Sequence, residues 1–126
     1  MLLDENNKQL QSNKVYSFES LSTSQKGEIE NYIRALIQGY TQGNDKPFTV
    51  SDLVGGKFNN WSDTPLDYIY QYHYKNRTPQ QAVEEAGKDM GRLFKFIMVN
   101  DKTRTYKMAG RVQRQFSTPT YEYIKK

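Results

Sequence analysis

Residues 87–100, GKDMGRLFKFIMVN, decide the fold of this chain together with the alternating residues that follow them. Their apolar side chains recur at three- and four-residue spacing, which is typical of one buried face of an amphipathic helix. Lys88, Arg92 and Lys95 stand four and three residues apart, so they form a separate cationic stripe on the same helix. The apolar face consists of Met90, Leu93, Phe94, Ile97 and Met98.

Two short runs after this helix predict a β-hairpin. Residues 105–108 (TYKM) and 120–124 (TYEYI) alternate between polar residues and aromatic or apolar ones, as half-buried strands do. The segment between them carries Arg111 and Arg114. The sequence therefore predicts a mainly α-helical, α+β fold in which a basic helix is followed directly by a basic C-terminal hairpin.

Charge is distributed unevenly along the chain. Residues 87–126 contain ten Lys or Arg against three acids, a balance of +7, whereas the whole chain is +4 and residues 1–86 carry −3. A basic segment of this kind is expected of a surface that neutralises phosphates. The alternative is a solvated basic surface that serves solubility alone. The coincidence of a cationic helix stripe with arginines in the hairpin favours nucleic acid.

Composition argues against several functional classes. A chain of 126 residues without cysteine has no disulfide, no thiol nucleophile and no Cys-based zinc site. His73 is the single histidine, so we interpret it as a packed or surface residue and not as a metal ligand. Gly55 and Gly56 lack the Lys-Ser/Thr of a phosphate-binding P-loop. We therefore predict no enzyme activity, no catalytic residue, no metal and no cofactor.

The first 19 residues are predicted to be a mobile N-terminal arm, because polar residues dominate them without a sustained period. Residues 20–126 form the predicted domain. Within it, helix starts are indicated where a Ser or Thr precedes an acid or amide by three residues, as in a capping box. Such signals occur at residues 22–25, 49–52, 64–67 and 78–81.

A helix is predicted over residues 64–76. Its tyrosines at positions 68, 70, 72 and 74 alternate, which also suits a strand, but the Thr64-Pro65 start favours a helix. Trp61, just before it, is interpreted as a core anchor in preference to an exposed ring that stacks on bases.

Three segments together resemble a winged helix-turn-helix domain: TVSDL at residues 49–53, MGRLF at 90–94, and the terminal ribbon. The resemblance covers roughly residues 24–126, and within that superfamily the chain resembles small DNA-binding proteins of Gram-positive plasmids, conjugative elements and phages. Residues 55–77 exceed the usual link between the second and third helices, so the helix at 64–76 is interpreted as an insertion. The alternative is two small winged units, residues 20–75 and 78–126, packed as an internal pair.

The resemblance implies a double-stranded DNA-binding protein, a regulatory or accessory factor of a mobile element that serves transcription regulation or conjugation. In that superfamily the third helix enters the major groove and the wing contacts the backbone or the minor groove. The implied helix contacts are Lys88, Arg92 and Lys95, and the implied wing contacts are Arg104, Lys107, Arg111 and Arg114.

Partners and location follow from the same reading. Other proteins of a DNA-processing complex are possible further partners. No apolar run approaches the length of a membrane span, so we expect no membrane association. Because the sequence contains no cysteine, we expect a reducing cytoplasm as its compartment. The alternative function is a winged-helix protein–protein interaction module without DNA binding, to which the ten tyrosines are suited.

Overall fold

The computed structural model describes residues 1–43, 46–55, 61–113 and 117–124. It is an α+β fold in which the two long helices have 19 and 22 residues. In the described part of the chain, no helix combines the length and apolar character that crossing a membrane requires. The elements in chain order are β1 (Leu2–Leu3), α1 (Tyr16–Glu19), α2 (Thr23–Thr41), α3 (Val50–Val54), α4 (Asp67–Tyr74), α5 (Pro79–Asn100), β2 (Thr105–Gln113) and β3 (Ser117–Ile124).

Capping boxes begin three of the helices, as predicted. The side chains of Ser22, Thr49 and Thr78 each accept a hydrogen bond from the backbone N–H three residues later, and the reciprocal bond is present in each case. The fourth start is displaced, because α4 begins at Asp67 and not directly after Thr64. The hydroxyl of Thr64 instead accepts from the backbone N–H of Leu66, 3.2 Å away, within the turn that precedes α4.

The predicted hairpin is confirmed and is longer than expected. β2 and β3 pair antiparallel, with Tyr106 opposite Tyr123 and Met108 opposite Tyr121. Directly opposite residues of an antiparallel pair share one face, and here that face contacts the hydrophobic core. Lys107 lies opposite Glu122 on the other face.

The predicted loose arm of residues 1–19 is wrong for this structure. Leu2 and Leu3 pair parallel with β2, and Leu2 is fully buried. Val15 and Phe18 are also buried, at the start of α1 and within it. Although the arm is mostly polar, its few apolar residues pack on the rest of the protein, and a parallel strand is added to the edge of the hairpin.

Phe48 connects the helices to the sheet. Its backbone exchanges two hydrogen bonds of 2.8 Å with Tyr121, so the segment between α2 and α3 forms a one-residue bridge on the edge of β3. Its fully buried ring lies 5.7 Å from the Tyr40 ring and 6.0 Å from the Tyr121 ring. The same apolar cluster includes Ile33 of α2 and Phe94 of α5, so helices and sheet share one core.

A β-bulge divides the hairpin into a base and a tip. Met108 is opposite Tyr121 but Arg111 is opposite Pro119, so β2 has one more residue than β3 between these pairs. Gly110, inside the bulge, has φ of 102°, a conformation that L side chains rarely adopt. In a regular strand Arg111, three residues after Met108, would point to the opposite face. Because the bulge takes up the extra residue, Arg111 lies opposite Pro119 and so on the core-facing side that Met108 and Tyr121 occupy.

Candidate nucleic-acid interface

The cationic stripe predicted on α5 lies on its accessible side. The side chains of Lys88 and Arg92 are 62% and 63% exposed, and Lys95 is half-buried. Both exposed cations contact an acid on the preceding turn of the helix. Lys88 Nζ lies 3.4 Å from Glu85 Oε1, and Arg92 Nη1 donates to Asp89 Oδ1 at 2.9 Å. The two acids differ in burial, because Glu85 is partly exposed whereas Asp89 is buried.

Asp89 is the centre of a buried polar network that joins three helices. Its Oδ2 accepts a 2.6 Å hydrogen bond from Ser17 Oγ of α1 and lies 2.6 Å from His73 Nε2 of α4. On the far side of the ring, Arg77 Nη1 lies 3.0 Å from His73 Nδ1. A buried carboxylate is tolerated where hydrogen bonds and opposite charges replace the lost water, as they do here.

The direction of these hydrogen bonds assigns the state of the histidine. A guanidinium group has only donors, so His73 Nδ1 must accept from Arg77. The ring hydrogen is therefore on Nε2, which donates to Asp89. This tautomer satisfies every contact of His73, and the guanidinium groups of Arg77 and Arg92 contact the His73–Asp89 pair at its two ends.

The sequence predicts His73 to be either a packed or a surface residue, and the structure shows it packed, but the network around Asp89 was not foreseen. One signal was available. Asp89 falls three residues after Ala86 and four before Leu93, in the middle of the apolar face of α5. An acid at such a position needs a buried partner. The partners lie 72 and 16 residues away, and nothing local identifies them.

Among the predicted wing cations that the structure describes, Arg111 is the exposed one. It lies on the hairpin tip and is exposed. Its guanidinium donates to Ser117 through Nε, 2.8 Å from Oγ, and through Nη2, 3.0 Å from the backbone oxygen. Burial raises the pKa of Tyr121 while the charge of Arg111 acts in the opposite direction, which agrees with the two side chains sharing a face of the hairpin.

Arg104 has a different place from the one that the resemblance implies. It precedes β2, and its guanidinium carbon lies 3.6 Å from the centre of the Tyr123 ring. Nη2 donates to the Thr41 hydroxyl at 3.2 Å and Nη1 to the Tyr106 hydroxyl at 3.4 Å. These contacts join α2 to the base of the hairpin, so Arg104 is engaged inside the fold and is not grouped with the exposed cations.

Of the two remaining predicted wing contacts, the one that the structure describes is separated from Arg111. Lys107 is half-buried on the opposite face of the hairpin, directly across from Glu122. Arg114 lies outside the described residues. The structure thus groups Lys88, Arg92 and Lys95 on one helix and leaves Arg111 as a separate cation on the tip of the hairpin.

Comparison with known proteins does not extend this description. No protein-family model, curated protein or solved structure matches the chain. The accessible cations of α5 and of the hairpin tip are therefore the features from which a function can be inferred.

Two other features clarify the chemistry. Trp61 is half-buried against the core, and its Nε1 donates to the Val54 backbone oxygen at 3.2 Å, so the interpretation as a core anchor is confirmed. Across the described ranges, no three or more His, Asp or Glu side chains group as metal ligands would.

Proposed function

We propose that this chain is a winged-helix protein that binds double-stranded DNA. The order of elements supports the proposal: α2, the Phe48 bridge, α3, α5 and then a β-hairpin follow one another as in a helix-turn-helix with a wing. α4 occupies the position of the inserted helix between α3 and α5. In this reading α5 is the recognition helix and β2–β3 the wing.

One observation carries the functional part of the proposal. α5 exposes Lys88 and Arg92 on the side opposite its buried apolar face, and Lys95 follows on the same stripe. Cations in this arrangement suit a groove bordered by phosphates. Arginine also forms two parallel hydrogen bonds with guanine, which makes Arg92 the candidate for base recognition. Arg111 adds a cation on the wing.

The resemblance to plasmid, phage and conjugative-element proteins makes a regulatory or accessory role on mobile DNA the corresponding biological proposal. Proteins of a DNA-processing complex are then natural further partners.

A salt titration tests DNA binding. Four cations that contact phosphates predict a slope of roughly −3 to −4 in the logarithm of affinity against the logarithm of salt concentration, since each contact contributes about −0.9. Affinity for a random duplex, followed by fluorescence anisotropy, should therefore fall about 100-fold between 50 and 200 mM salt. Lys14→Gln removes one positive charge from an exposed position in the N-terminal segment and is the charge-matched control for substitutions of the proposed DNA contacts. No binding of random duplex at low salt would contradict the proposal.

Substitutions then separate the two kinds of contact. Arg92→Ala should weaken the free energy of binding by about 1–3 kcal/mol for a duplex selected from a random pool. The loss for random duplex should be smaller. Arg111→Ala should weaken binding to all sequences alike and reduce the salt slope by about 0.9. Equal losses on both duplexes for Arg92→Ala would show that Arg92 contacts phosphate only.

An interaction module without DNA binding is the second candidate, and the surface of α4 favours it. Tyr70 and Tyr74 stack with their rings 5.7 Å apart, and Tyr74 is 46% exposed. Two other tyrosines of α4, Tyr68 and Tyr72, line a cavity of about 650 Å³ together with Arg77 and other residues. Exposed tyrosines and a polar cavity are common at protein interfaces. If the protein fails to bind duplex at low salt, this is the function to test next.

A further inference from the structure

Arg92 differs from a simple surface cation in what holds it. Its partner Asp89 is buried, and its Oδ2 is occupied by Ser17 of α1 and His73 of α4. Asp89 is thus fixed by two other helices, and its other oxygen, Oδ1, accepts from Arg92 at 2.9 Å. By contrast, Lys88 contacts Glu85, which is itself partly exposed, at 3.4 Å.

This arrangement restricts the orientation of the Arg92 guanidinium and still leaves N–H donors for another partner. A free arginine side chain loses rotamer entropy when it is immobilised. Here part of that ordering is already present in the folded protein. Arg92 uses Nη1 toward Asp89, and a guanidinium has five N–H donors, so donors remain for a partner. The side chain is 63% exposed and therefore accessible to that partner.

We propose that Asp89 is the positioning residue for Arg92, and that Ser17 and His73 control base discrimination through Asp89 without touching DNA. This inference rests on the proposed function, in which Arg92 reads a base. It adds that sequence specificity depends on a hydrogen-bond network beneath the recognition helix. Non-specific binding, which depends on the number of accessible cations, does not require the network.

A double-mutant cycle tests the inference. The ratio of affinities for a selected duplex and a scrambled duplex is measured by anisotropy for wild type, Asp89→Asn, Arg92→Ala and the double variant. Arg92→Ala should lower the ratio roughly 5- to 150-fold, the range expected for a bidentate base contact. Asp89→Asn should lower it about tenfold in the wild-type background, within that range. In the Arg92→Ala background Asp89→Asn should have no further effect, because the residues act as one unit.

Asp101→Asn is the matched control. Asp101 is as buried as Asp89 and its carboxylate also accepts several hydrogen bonds, but it lies in the turn after α5 and has no contact with Arg92. The Asp101→Asn variant should be less stable than wild type and should keep the wild-type affinity ratio. If it lowers the ratio as much as Asp89→Asn does, the effect is one of general destabilisation and the positioning role is wrong.

A pair of substitutions at His73 tests the same proposal if the Asp89→Asn variant folds poorly. In His73→Gln the amide nitrogen occupies the region of Nε2 and can still donate to Asp89, whereas His73→Leu removes the donor. The affinity ratio should be retained by His73→Gln and lost by His73→Leu. Equal ratios for the two variants would overturn the proposal.

A measurement without DNA distinguishes failure of this inference from failure of the proposed function. Relaxation of the Arg92 Nε nucleus should report an ordered side chain in wild type and a mobile one in Asp89→Asn, comparable with exposed Arg34 on α2. Unchanged order in Asp89→Asn would refute the positioning role even if DNA binds. If wild type binds neither duplex, the proposed function is wrong and base discrimination by Arg92 is wrong with it.

Discussion

Alanine at two glycines of α5 should make the protein more stable. Gly87 and Gly91 lie inside the 22-residue helix, and a Cβ built at either position meets no neighbouring atom within 4 Å. Glycine in a helix interior costs roughly 0.5–1 kcal/mol relative to alanine, because it loses more backbone entropy on folding. Nothing in the described structure offsets this cost, so the two substitutions together should add about 1–2 kcal/mol to the free energy of unfolding.

Thermal and guanidinium denaturation of Gly87→Ala, Gly91→Ala and the double variant measure this gain. For a chain of this size, about 1 kcal/mol corresponds to a rise in Tm of roughly 3–6 °C. Gly39→Ala in α2, where a Cβ also meets nothing, should give a similar rise and calibrates the helix-propensity term. Gly110→Ala should have the opposite sign, since Gly110 has φ of 102°. Destabilisation by Gly91→Ala with a normal gain from Gly39→Ala would refute the reasoning, because it would require a close neighbour at Gly91.

Three further substitutions test the core, the turn after α5 and the base of the hairpin. Phe48→Ala should reduce the free energy of unfolding in guanidinium by about 3–5 kcal/mol, because the ring is fully buried; a loss below 1 kcal/mol would contradict its place in the core. Burial raises the pKa of Asp101, but hydrogen bonds from Thr103 and Arg104 outweigh it and hold that pKa below its ordinary value of 3.8. Asp101 therefore stabilises the fold above pH 3.8 and loses this effect as the pH falls further. Urea denaturation should show Asp101→Asn to be less stable than wild type at pH 7, with a difference that shrinks toward pH 3, and a constant difference would contradict the assignment. Arg104→Ala should reduce the free energy of unfolding by about 1–2 kcal/mol, because the contacts with Tyr123 and Thr41 are lost. Unlike Arg111→Ala, it should leave duplex affinity unchanged.

Local signals predicted the helices well because they depend on neighbouring residues. A hydroxyl at Ser22 or Thr78 caps a backbone N–H only three residues away, so the sequence alone contains both partners. The apolar spacing of α5 predicted its buried face for the same reason. The displaced start of α4 shows the limit of such signals, because the hydroxyl of Thr64 bonds within the preceding turn.

Long-range contacts account for what the sequence did not predict. β1 pairs with β2 about a hundred residues later, and its two leucines stand in a polar segment that has no strand pattern. The position of Arg104 over Tyr123 depends on the register of the hairpin, and the network of Asp89 depends on how α1 and α4 pack against α5. Each of these requires the three-dimensional arrangement, which periodicity and capping do not specify.

The bulge near Gly110 is a point at which the length of β2 can differ by one residue while the pairing of the hairpin base is unchanged. Loss of one residue at that point would leave a regular ladder in which the arginine follows Met108 by two positions, stays opposite Pro119 and keeps its face, while the Tyr106–Tyr123 pairing below stays as it is. A homologue lacking the extra residue would therefore keep the arginine on the face of Met108 and lose only the local bend and added twist of the bulge. Comparison of relatives at this point should therefore consider chain length before residue identity.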